Sequence, residues 1–241
     1  MKKESFLQIK NLNVKYPNGN IALNDVSFEI PQGSITGLVG VNGAGKSTVF
    51  KAMMGFIKFS SGSVNILGKS IKGALKNNLV AYVPQVEEID WNFPILVKDV
   101  VMMGRYGKMN FLRIPKKKDN YEVENSLKKV EMQDFYFQQI GELSGGQRKR
   151  VFLARALAQK AKVILLDEPF AGVDVKTEEA IFKILFELKK EGKIILIATH
   201  NLGSVPRYCD RTILVKQKII AYGPTEEIFN KQNLELAFGG V

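Results

Sequence analysis

The chain has 241 residues, of which 45% are hydrophobic and 24% charged, a composition typical of a globular protein with one two-lobed domain or two small domains. Its one cysteine, Cys209, excludes an internal disulfide, and with one histidine the chain cannot assemble a Cys/His zinc site. The formal net charge of +11 favours an anionic partner, which could be a nucleotide, a nucleic acid or acidic lipid headgroups.

The N-terminal segment MKKESFLQIK has no apolar stretch and no small-residue cleavage site, so it does not predict a secretory signal. The longest apolar runs, such as IILIA at residues 194–198, are far shorter than the roughly 18 residues that a membrane-spanning helix requires. We therefore expect a cytosolic protein that does not cross a bilayer by itself.

In chain order, the first thirty residues alternate apolar and polar side chains in QIKNLNVKY and IALNDVSFEI, which predicts antiparallel strands with one face in water. Strand-like runs follow at residues 34–40, 63–68, 78–85, 162–169, 193–200 and 211–217. Helical patterns separate several of them: GKSTVFKAMMG, SGGQRKRVFLARALAQK and KTEEAIFKILFELKK. This alternation predicts an α/β fold with a mainly parallel, buried sheet. From about residue 86 to 142 the strand signal lapses, which predicts a helical insertion.

A glycine-rich loop, GVNGAGKST at residues 40–48, satisfies G-x-x-x-x-G-K-[ST] between a strand and a helix. Glycines let the backbone wrap around phosphate oxygens, Lys46 can reach the β- and γ-phosphates, and the Ser47 hydroxyl can ligate Mg²⁺. The alternative is a tight turn without a ligand. The loop predicts a P-loop NTPase (RecA-like) core with these ATP-binding residues: Gly40, Asn42, Gly43, Ala44, Gly45, Lys46, Ser47 and Thr48.

Two carboxylates, Asp167 and Glu168, end the strand-like run VILLDEP. Because the carboxyl ends of parallel strands meet at the edge where the glycine loop lies, Asp167 can support Mg²⁺ and Glu168 can face the γ-phosphate. Glu168 is then the candidate that polarises the attacking water. Taken alone, an Asp-Glu pair after an apolar run is often only a solvated strand end.

The segment ELSGGQRKR at residues 142–150 places two glycines at a helix start. By itself, SGGQ fits the reciprocal capping box and favours a well-capped helix without a ligand. The ordered set of glycine loop, Gln85, LSGGQ, LLDEP, Asp174 and His200, however, resembles the nucleotide-binding subunit of an ABC transporter over essentially the full chain.

The resemblance implies one ABC ATPase domain, residues 1–241. Residues 1–85 and 159–241 would form the nucleotide-binding core with an N-terminal antiparallel β-subdomain, and residues 86–158 an inserted α-helical subdomain. It also implies a homodimer packed head to tail, in which a signature segment completes the ATP site of the partner subunit. That segment consists of Leu143, Ser144, Gly145, Gly146 and Gln147.

Further roles follow from the same resemblance. Tyr16 would stack on adenine, the alternative being a half-buried strand tyrosine. Gln85 would touch Mg²⁺ or the attacking water, so that Ser47, Gln85 and Asp167 hold the ion. Asp174 would cross to the opposite subunit; it lies in AGVD, where many relatives have S-A-L-D.

His200 follows the strand-like run IILIAT. An isolated histidine is usually structural, but this position matches the histidine that senses the γ-phosphate in the family. As a neutral imidazole it would donate one hydrogen bond to that phosphate. The implied catalytic residues are therefore Glu168, His200 and Gln85.

Residues 86–119, together with THNLGSV and the terminal NLELAFGGV, resemble the ATPases of bacterial importers for manganese, zinc or chelated iron, most closely those for manganese or iron. This implies an integral membrane permease, an extracytoplasmic metal-binding protein, and a peripheral position on the cytoplasmic face of the inner membrane. Trp91, Met102 and Met103 are expected to pack or dock rather than ligate a metal. A solvated charge run explains Lys116, Lys117 and Lys118 better than contact with acidic headgroups does.

Three other functions are considered as alternatives to a manganese or iron importer ATPase. One is a zinc importer ATPase, and another is a soluble ABC ATPase of iron–sulfur cluster assembly. The third is a nucleic-acid-associated ABC ATPase, which the net charge suggests. Such proteins resemble tandem ATPases or heads joined by coiled coils, and this chain has neither a second glycine loop nor sustained heptads, so we expect no nucleic-acid partner.

Overall fold

A computed structural model of the chain describes residues 6–85 and 93–239, and within them two β-sheets form. The first sheet is antiparallel, with the order β2-β1-β4-β5; it consists of β1 (Phe6–Lys15), β2 (Ile21–Pro31), β4 (Ser61–Ile66) and β5 (Lys69–Ser70). The predicted antiparallel pairing of the first thirty residues is therefore confirmed. The run at residues 63–68 also belongs to this sheet rather than to the parallel one, because it returns beside β1 and buries only alternate side chains.

The second sheet has the order β10-β9-β3-β8-β7-β6. Its strands are β3 (Ser34–Val39), β6 (Val80–Val83), β7 (Val163–Asp167), β8 (Ile194–Thr199), β9 (Arg211–Lys216) and β10 (Lys218–Pro224). All neighbouring strands are parallel except β9 and β10. The strands β3, β7 and β8 are buried along their whole length, as a parallel sheet covered on both faces requires. The predicted parallel sheet is confirmed, and its carboxyl-terminal edge collects the ends of β3, β7 and β8.

The helices of the described residues are α1 (Lys46–Met53), α2 (Ile71–Lys76), α3 (Val97–Met102), α4 (Lys117–Lys129), α5 (Gly145–Ala158), α6 (Val175–Lys190), α7 (Val205–Tyr208), α8 (Thr225–Ile228) and α9 (Lys231–Phe238). Short 3-10 turns occupy Met103–Lys108, Gln133–Phe135 and Ile140–Glu142. Helices α3, α4 and α5 pack against one another, so the described part of the segment that lost its strand signal consists of helices joined by turns and loops. Trp91 lies outside the described residues. In the part of the chain that the structure covers, no helix is both long and apolar enough to cross a membrane.

Two hydrophobic cores lie on opposite faces of the parallel sheet. Along β7, Ile164 and Leu166 enter the core shared with the helical layer, while Val163 and Leu165 enter the core beneath the antiparallel sheet and α1. This alternation follows from the two-residue period of a strand. The sheet is thus fixed from both faces, which makes its carboxyl-terminal edge a rigid platform.

Candidate nucleotide site

The glycine loop leaves β3 and enters α1 through Gly45, whose φ of +104° is open to glycine and strained for other residues. A Cβ at Gly45 would lie 2.6 Å from Leu23 Cδ2, and one at Gly40 would lie 2.3 Å from the Val215 carbonyl oxygen. No side chain among the described residues caps α1. The first amides of this helix and its positive dipole end can therefore meet phosphate oxygens.

Lys46 lies inside the loop rather than in solvent. Its ammonium donates to the carbonyl oxygens of Gly40, at 2.7 Å, and Val41, at 3.2 Å, and lies 3.8 Å from Glu168 Oε1. Burial lowers the pKa of Lys46, and the nearby charges of Glu168 and Asp167 oppose that shift. A cation held this way, at the start of α1, is placed to face a polyanion.

Asp167 is buried at the end of β7, and its Oδ1 has no hydrogen-bond partner among the described residues. The Tyr82 hydroxyl donates to Oδ2 at 3.4 Å. Burial raises the pKa of the Asp167 carboxyl, while a hydrogen bond from the Ser47 side chain opposes that rise. A buried carboxylate oxygen without a donor, next to a serine hydroxyl, has the chemistry of a site for a hard cation such as Mg²⁺.

The described residues contain no cluster of three or more His, Cys, Asp or Glu side chains that could hold a metal ion by themselves. This agrees with the donors at Ser47 and Asp167, because protein-bound Mg²⁺ commonly takes one or two carboxylates and completes its shell with water and substrate phosphate.

Glu168 has a left-handed backbone conformation, with φ at +47°, which is uncommon for a residue with a side chain. Its amide donates to the Ala198 carbonyl oxygen at 2.9 Å, and the Thr199 hydroxyl donates to its Oε2 at 3.3 Å. His200 Nδ1 lies 2.8 Å from Oε1. Residues at the end of the neighbouring strand β8 therefore orient this carboxylate.

The tautomer of His200 follows from this contact. An ionised carboxylate can only accept, so Nδ1 is the donor, and in a neutral ring Nε2 is then an acceptor. A neutral His200 cannot donate to Glu168 and to a phosphate at the same time.

A cleft of about 430 Å³ unites most of the predicted ATP-binding residues. It is lined by Asn42, Gly43, Gly45, Lys46, Ser47 and Thr48 of the loop and by Tyr16, Gln85, Asp167 and Glu168. The Tyr16 hydroxyl and Thr48 Oγ1 are 3.1 Å apart, which ties the aromatic ring to the loop. Gly40 and Ala44 lie buried beneath this surface, and His200 reaches the cleft through Glu168.

The signature segment does not line the nucleotide cleft of its own chain, although Gly145 lines a neighbouring cavity together with Gln85, Asp167 and Glu168. Ser144 caps α5 by accepting from the Gln147 amide at 3.3 Å, and Gln147 Oε1 accepts from the Ser144 amide at 2.8 Å, so the predicted capping box is confirmed. Leu143 is buried, whereas Ser144 and Gly145 are exposed, with open space around Gly145. Asp174 is also exposed and caps α6 through Thr177.

Lys149 is a site residue that the sequence did not indicate. From α5, its ammonium donates to the carbonyl oxygens of Ala171 and of Glu168, the latter at 3.4 Å. Burial lowers its pKa, with Glu168 opposing the shift. The sequence did contain one indication of this role: Lys149 follows Gly145 by four residues, so both lie on the same face of α5. The groups that Lys149 contacts, however, lie about twenty residues further along the chain, and only the fold brings them close.

The fold and this site define a P-loop NTPase with an inserted helical layer. The chain matches the family model for the ABC transporter over residues 23–171. It is 58% identical to the chelated iron transport system membrane protein YfeB of Yersinia pestis, covering 98% of this chain and 79% of that protein. It is 56% identical to the manganese transport system ATP-binding protein MntA of Synechocystis sp., covering 98% of this chain and 90% of that protein.

A solved ATP-binding cassette of an ABC transporter, in its ADP conformation, has a TM-score of 0.84 to this chain at 28% identity, covering 98% of this chain and 99% of that one. The chain belongs to the ABC transporter family. It binds ATP and is an ATPase whose hydrolysis of ATP is coupled to transport.

Proposed function

We propose that this chain is the ATP-hydrolysing subunit of a bacterial importer for a transition metal, most closely manganese or iron. The observation that carries the proposal is the identity of 56–58% over nearly the whole chain to subunits of a manganese and a chelated iron transport system. The transported ion would be the cargo of the whole system, and we propose no residue of this chain as its ligand.

In the proposed ATP site, Tyr16 stacks on adenine, and Lys46 with the first amides of α1 binds the phosphates. Ser47, Gln85 and Asp167 would hold Mg²⁺, which supplies charge neutralisation at the phosphates when bound. Support comes from the buried Oδ1 of Asp167, which has no hydrogen bond from the described residues, and from the Ser47 hydroxyl on the same carboxyl.

Glu168 would then orient and deprotonate the attacking water. Because a neutral His200 cannot donate to two acceptors through one proton, its hydrogen bond to the γ-phosphate would replace its hydrogen bond to Glu168. This exchange would release Glu168 to the water at the moment when ATP is in place.

Two subunits would share their sites head to tail. The exposed Ser144, the open space at Gly145 and the exposed Asp174 support contacts to a partner subunit. Leu143 is the buried residue of this segment, and Gly146 and Gln147 lie in the first turn of α5. A γ-phosphate between the two positive helix ends would make closure of the dimer dependent on ATP.

A permease would dock in a groove of about 800 Å³ that runs between the parallel sheet and the helical layer. Gln85, Phe56 and Met103 line it, and the side chains of Phe56 and Met103 are 64% and 40% exposed. Because Gln85 also lines the nucleotide cleft, a change at the γ-phosphate could reach the permease. The system would include an extracytoplasmic metal-binding protein, the ATPase would lie on the cytoplasmic face of the inner membrane, and no nucleic acid would take part.

The test is uptake of radioactive manganese, iron and zinc by cells whose only copy of this subunit is the wild type, Glu168→Gln or Glu226→Gln. Glu226 is an exposed glutamate of α8 and serves as the matched control. We expect Glu168→Gln to abolish uptake of manganese or iron and Glu226→Gln to behave as the wild type.

Loss of zinc uptake alone would replace the manganese or iron assignment with a zinc importer. Unchanged uptake of all three ions, without a compensating carrier, would overturn metal import. Recovery of the wild-type chain in a complex without any membrane protein would then favour the ATPase of iron–sulfur cluster assembly.

A further inference from the structure

After the 3-10 turn Met103–Lys108, the helical layer carries an exposed segment of apolar and basic side chains, residues 110–118, which ends in the first two residues of α4 and is called here the basic apolar loop. Phe111 is 98% exposed, Leu112 70% and Ile114 57%. Single exposed apolar residues are common on protein surfaces, but three large ones within four positions form a patch that indicates an interaction.

These side chains project from a defined turn. The Arg113 amide donates to the Asn110 carbonyl oxygen at 3.0 Å, and the Ile114 amide donates to Asn110 Oδ1 at 3.3 Å. Arg113 has a φ of +50°, and its guanidinium lies 5.0 Å from the centroid of the Tyr106 ring. The turn therefore places Phe111 and Leu112 at its tip, where neither packs into a core.

The charge of this segment has one sign. Residues 105–118 contain six Arg or Lys and no Asp or Glu. Arg105 is buried and paired with Asp119 at 3.0 Å, and Lys108 interacts with Lys160, Lys193 and Glu122. The remaining four cations, Arg113, Lys116, Lys117 and Lys118, are exposed and follow the apolar tip within six residues.

We propose that, in place of the solvated charge run expected from the sequence, the basic apolar loop binds the surface of a bilayer that contains anionic lipid. Phe111 and Leu112 would enter the boundary between headgroups and acyl chains, and the four exposed cations would meet the anionic headgroups. Charge complementarity selects this partner, because an exposed apolar tip followed by a cluster of exposed cations matches the layered chemistry of such a membrane surface. Along the chain, the loop directly follows the 3-10 turn in which Met103 and Gly104 line the groove proposed for the permease.

The proposal extends the proposed function, since it gives the subunit a direct contact with lipid beside its permease. It can be tested without transport, on the purified full-length chain. Flotation with vesicles of phosphatidylcholine containing about 30 mol% phosphatidylglycerol would be compared with flotation on pure phosphatidylcholine vesicles. We expect binding to the anionic vesicles alone, weakened by added salt because the Debye length shortens.

Two variants separate the contribution of the apolar tip to vesicle binding from the contribution of the cations. The double change Phe111→Ser with Leu112→Ser, and the triple change of Lys116, Lys117 and Lys118 to Gln, should each lower vesicle binding by about tenfold or more. Leu236→Ser on α9, an apolar side chain that is 56% exposed, is the control for the first variant. Changing the exposed Lys69, Lys72 and Lys76 to Gln is the control for the second. The ATPase rate of every variant in solution reports that it is folded.

Equal flotation of the wild type and the double variant would overturn the proposal. So would retention of vesicle binding in both loop variants together with loss of their co-purification with the permease, which would assign the loop to the protein partner. Preferential binding of the wild type to RNA over anionic vesicles at the same salt would overturn it as well. None of these outcomes bears on metal uptake, so failure of the lipid proposal and failure of the importer proposal are distinguishable.

Discussion

Nδ1 of His200 lies 2.8 Å from Oε1 of Glu168, and the two residues directly follow β8 and β7, which are hydrogen-bonded neighbours in the parallel sheet. The Thr199 hydroxyl holds the other oxygen of Glu168, and the Lys46 ammonium lies 3.8 Å from Oε1. The orientation of the carboxylate proposed to act on water thus depends on three side chains from two other segments.

We expect His200→Ala to slow ATP hydrolysis by about 10²-fold or more, because the γ-phosphate loses the hydrogen bond proposed to come from His200 when Glu168 is released to the water. ATP affinity should stay within about threefold of the wild type, since Lys46 and the loop amides are unchanged.

Glu168→Gln should retain ATP, hydrolyse it at least about 10²-fold more slowly and accumulate an ATP-bound dimer, because an amide cannot act as the base.

Single-turnover hydrolysis and equilibrium nucleotide binding would measure both effects. Wild-type turnover in His200→Ala would show that the contact with Glu168 has no part in the reaction. Rapid turnover in Glu168→Gln would move the base to another residue.

The Tyr16 hydroxyl bonds Thr48, so the ring and the hydroxyl can be tested separately. Tyr16→Ala should weaken ATP binding by about 1 to 3 kcal/mol, the value of a lost base stack, whereas Tyr16→Phe should cost roughly 1 kcal/mol or less. Binding of inorganic triphosphate, which has no base, should change little in Tyr16→Ala. If Phe and Ala variants lose the same affinity for ATP, the hydroxyl rather than the ring makes the contribution.

Lys149 links α5 to the segment that follows β7, and we expect it to position Glu168 rather than to contact ATP. Lys149→Met keeps the length of the side chain but removes its donors. The expected result is a fall in kcat of about tenfold with KM nearly unchanged, because the catalytic carboxylate is misplaced while nucleotide contacts remain. Lys183→Met, at an exposed position of α6, is the control. An unchanged kcat with a lowered melting temperature would leave Lys149 a purely structural role.

Sharing of sites between subunits predicts complementation. A mixture of Lys46→Ala and Ser144→Arg chains should recover ATPase activity, because each mixed dimer keeps one site without either change. Each of these chains alone should be inactive, because both sites of its homodimer carry the same damage. Absence of ATPase activity in the mixture would contradict the head-to-tail arrangement.

Cys209 provides a chemical probe of folding. Burial raises the pKa of its thiol from 9.0 to about 12, with Asp210 adding to the rise. Because the thiolate is the reactive form, at pH 8 the native thiol should be alkylated about 10³-fold more slowly than the thiol of the unfolded chain. Restricted access of the reagent to the buried side chain would slow the reaction further. The thiolate fraction of the native protein rises only as pH approaches the raised pKa. Rapid labelling of the native protein at pH 8 would contradict this placement of Cys209.

The sequence by itself determined the features that depend on neighbouring residues. The glycine loop at residues 40–48, the apolar run that ends at Asp167, and the capping box of Ser144 and Gln147 are all local patterns. Each can be recognised because a strand, a turn or a helix start imposes its demands within a few residues. The α/β class followed from the alternation of strand and helix patterns, and the family from the order of these motifs along the chain.

The tertiary structure alone decided which distant side chains touch. The pairs Tyr16 with Thr48 and His200 with Glu168 are each separated by 32 residues. The structure also places the strand of the run at residues 63–68 in the antiparallel sheet rather than in the parallel one, and it shows that the tip of the basic apolar loop is a defined turn. Such contacts depend on the packing of whole elements around two cores, and a sequence pattern with a period of two or 3.6 residues specifies which face of an element is buried but not which element it meets.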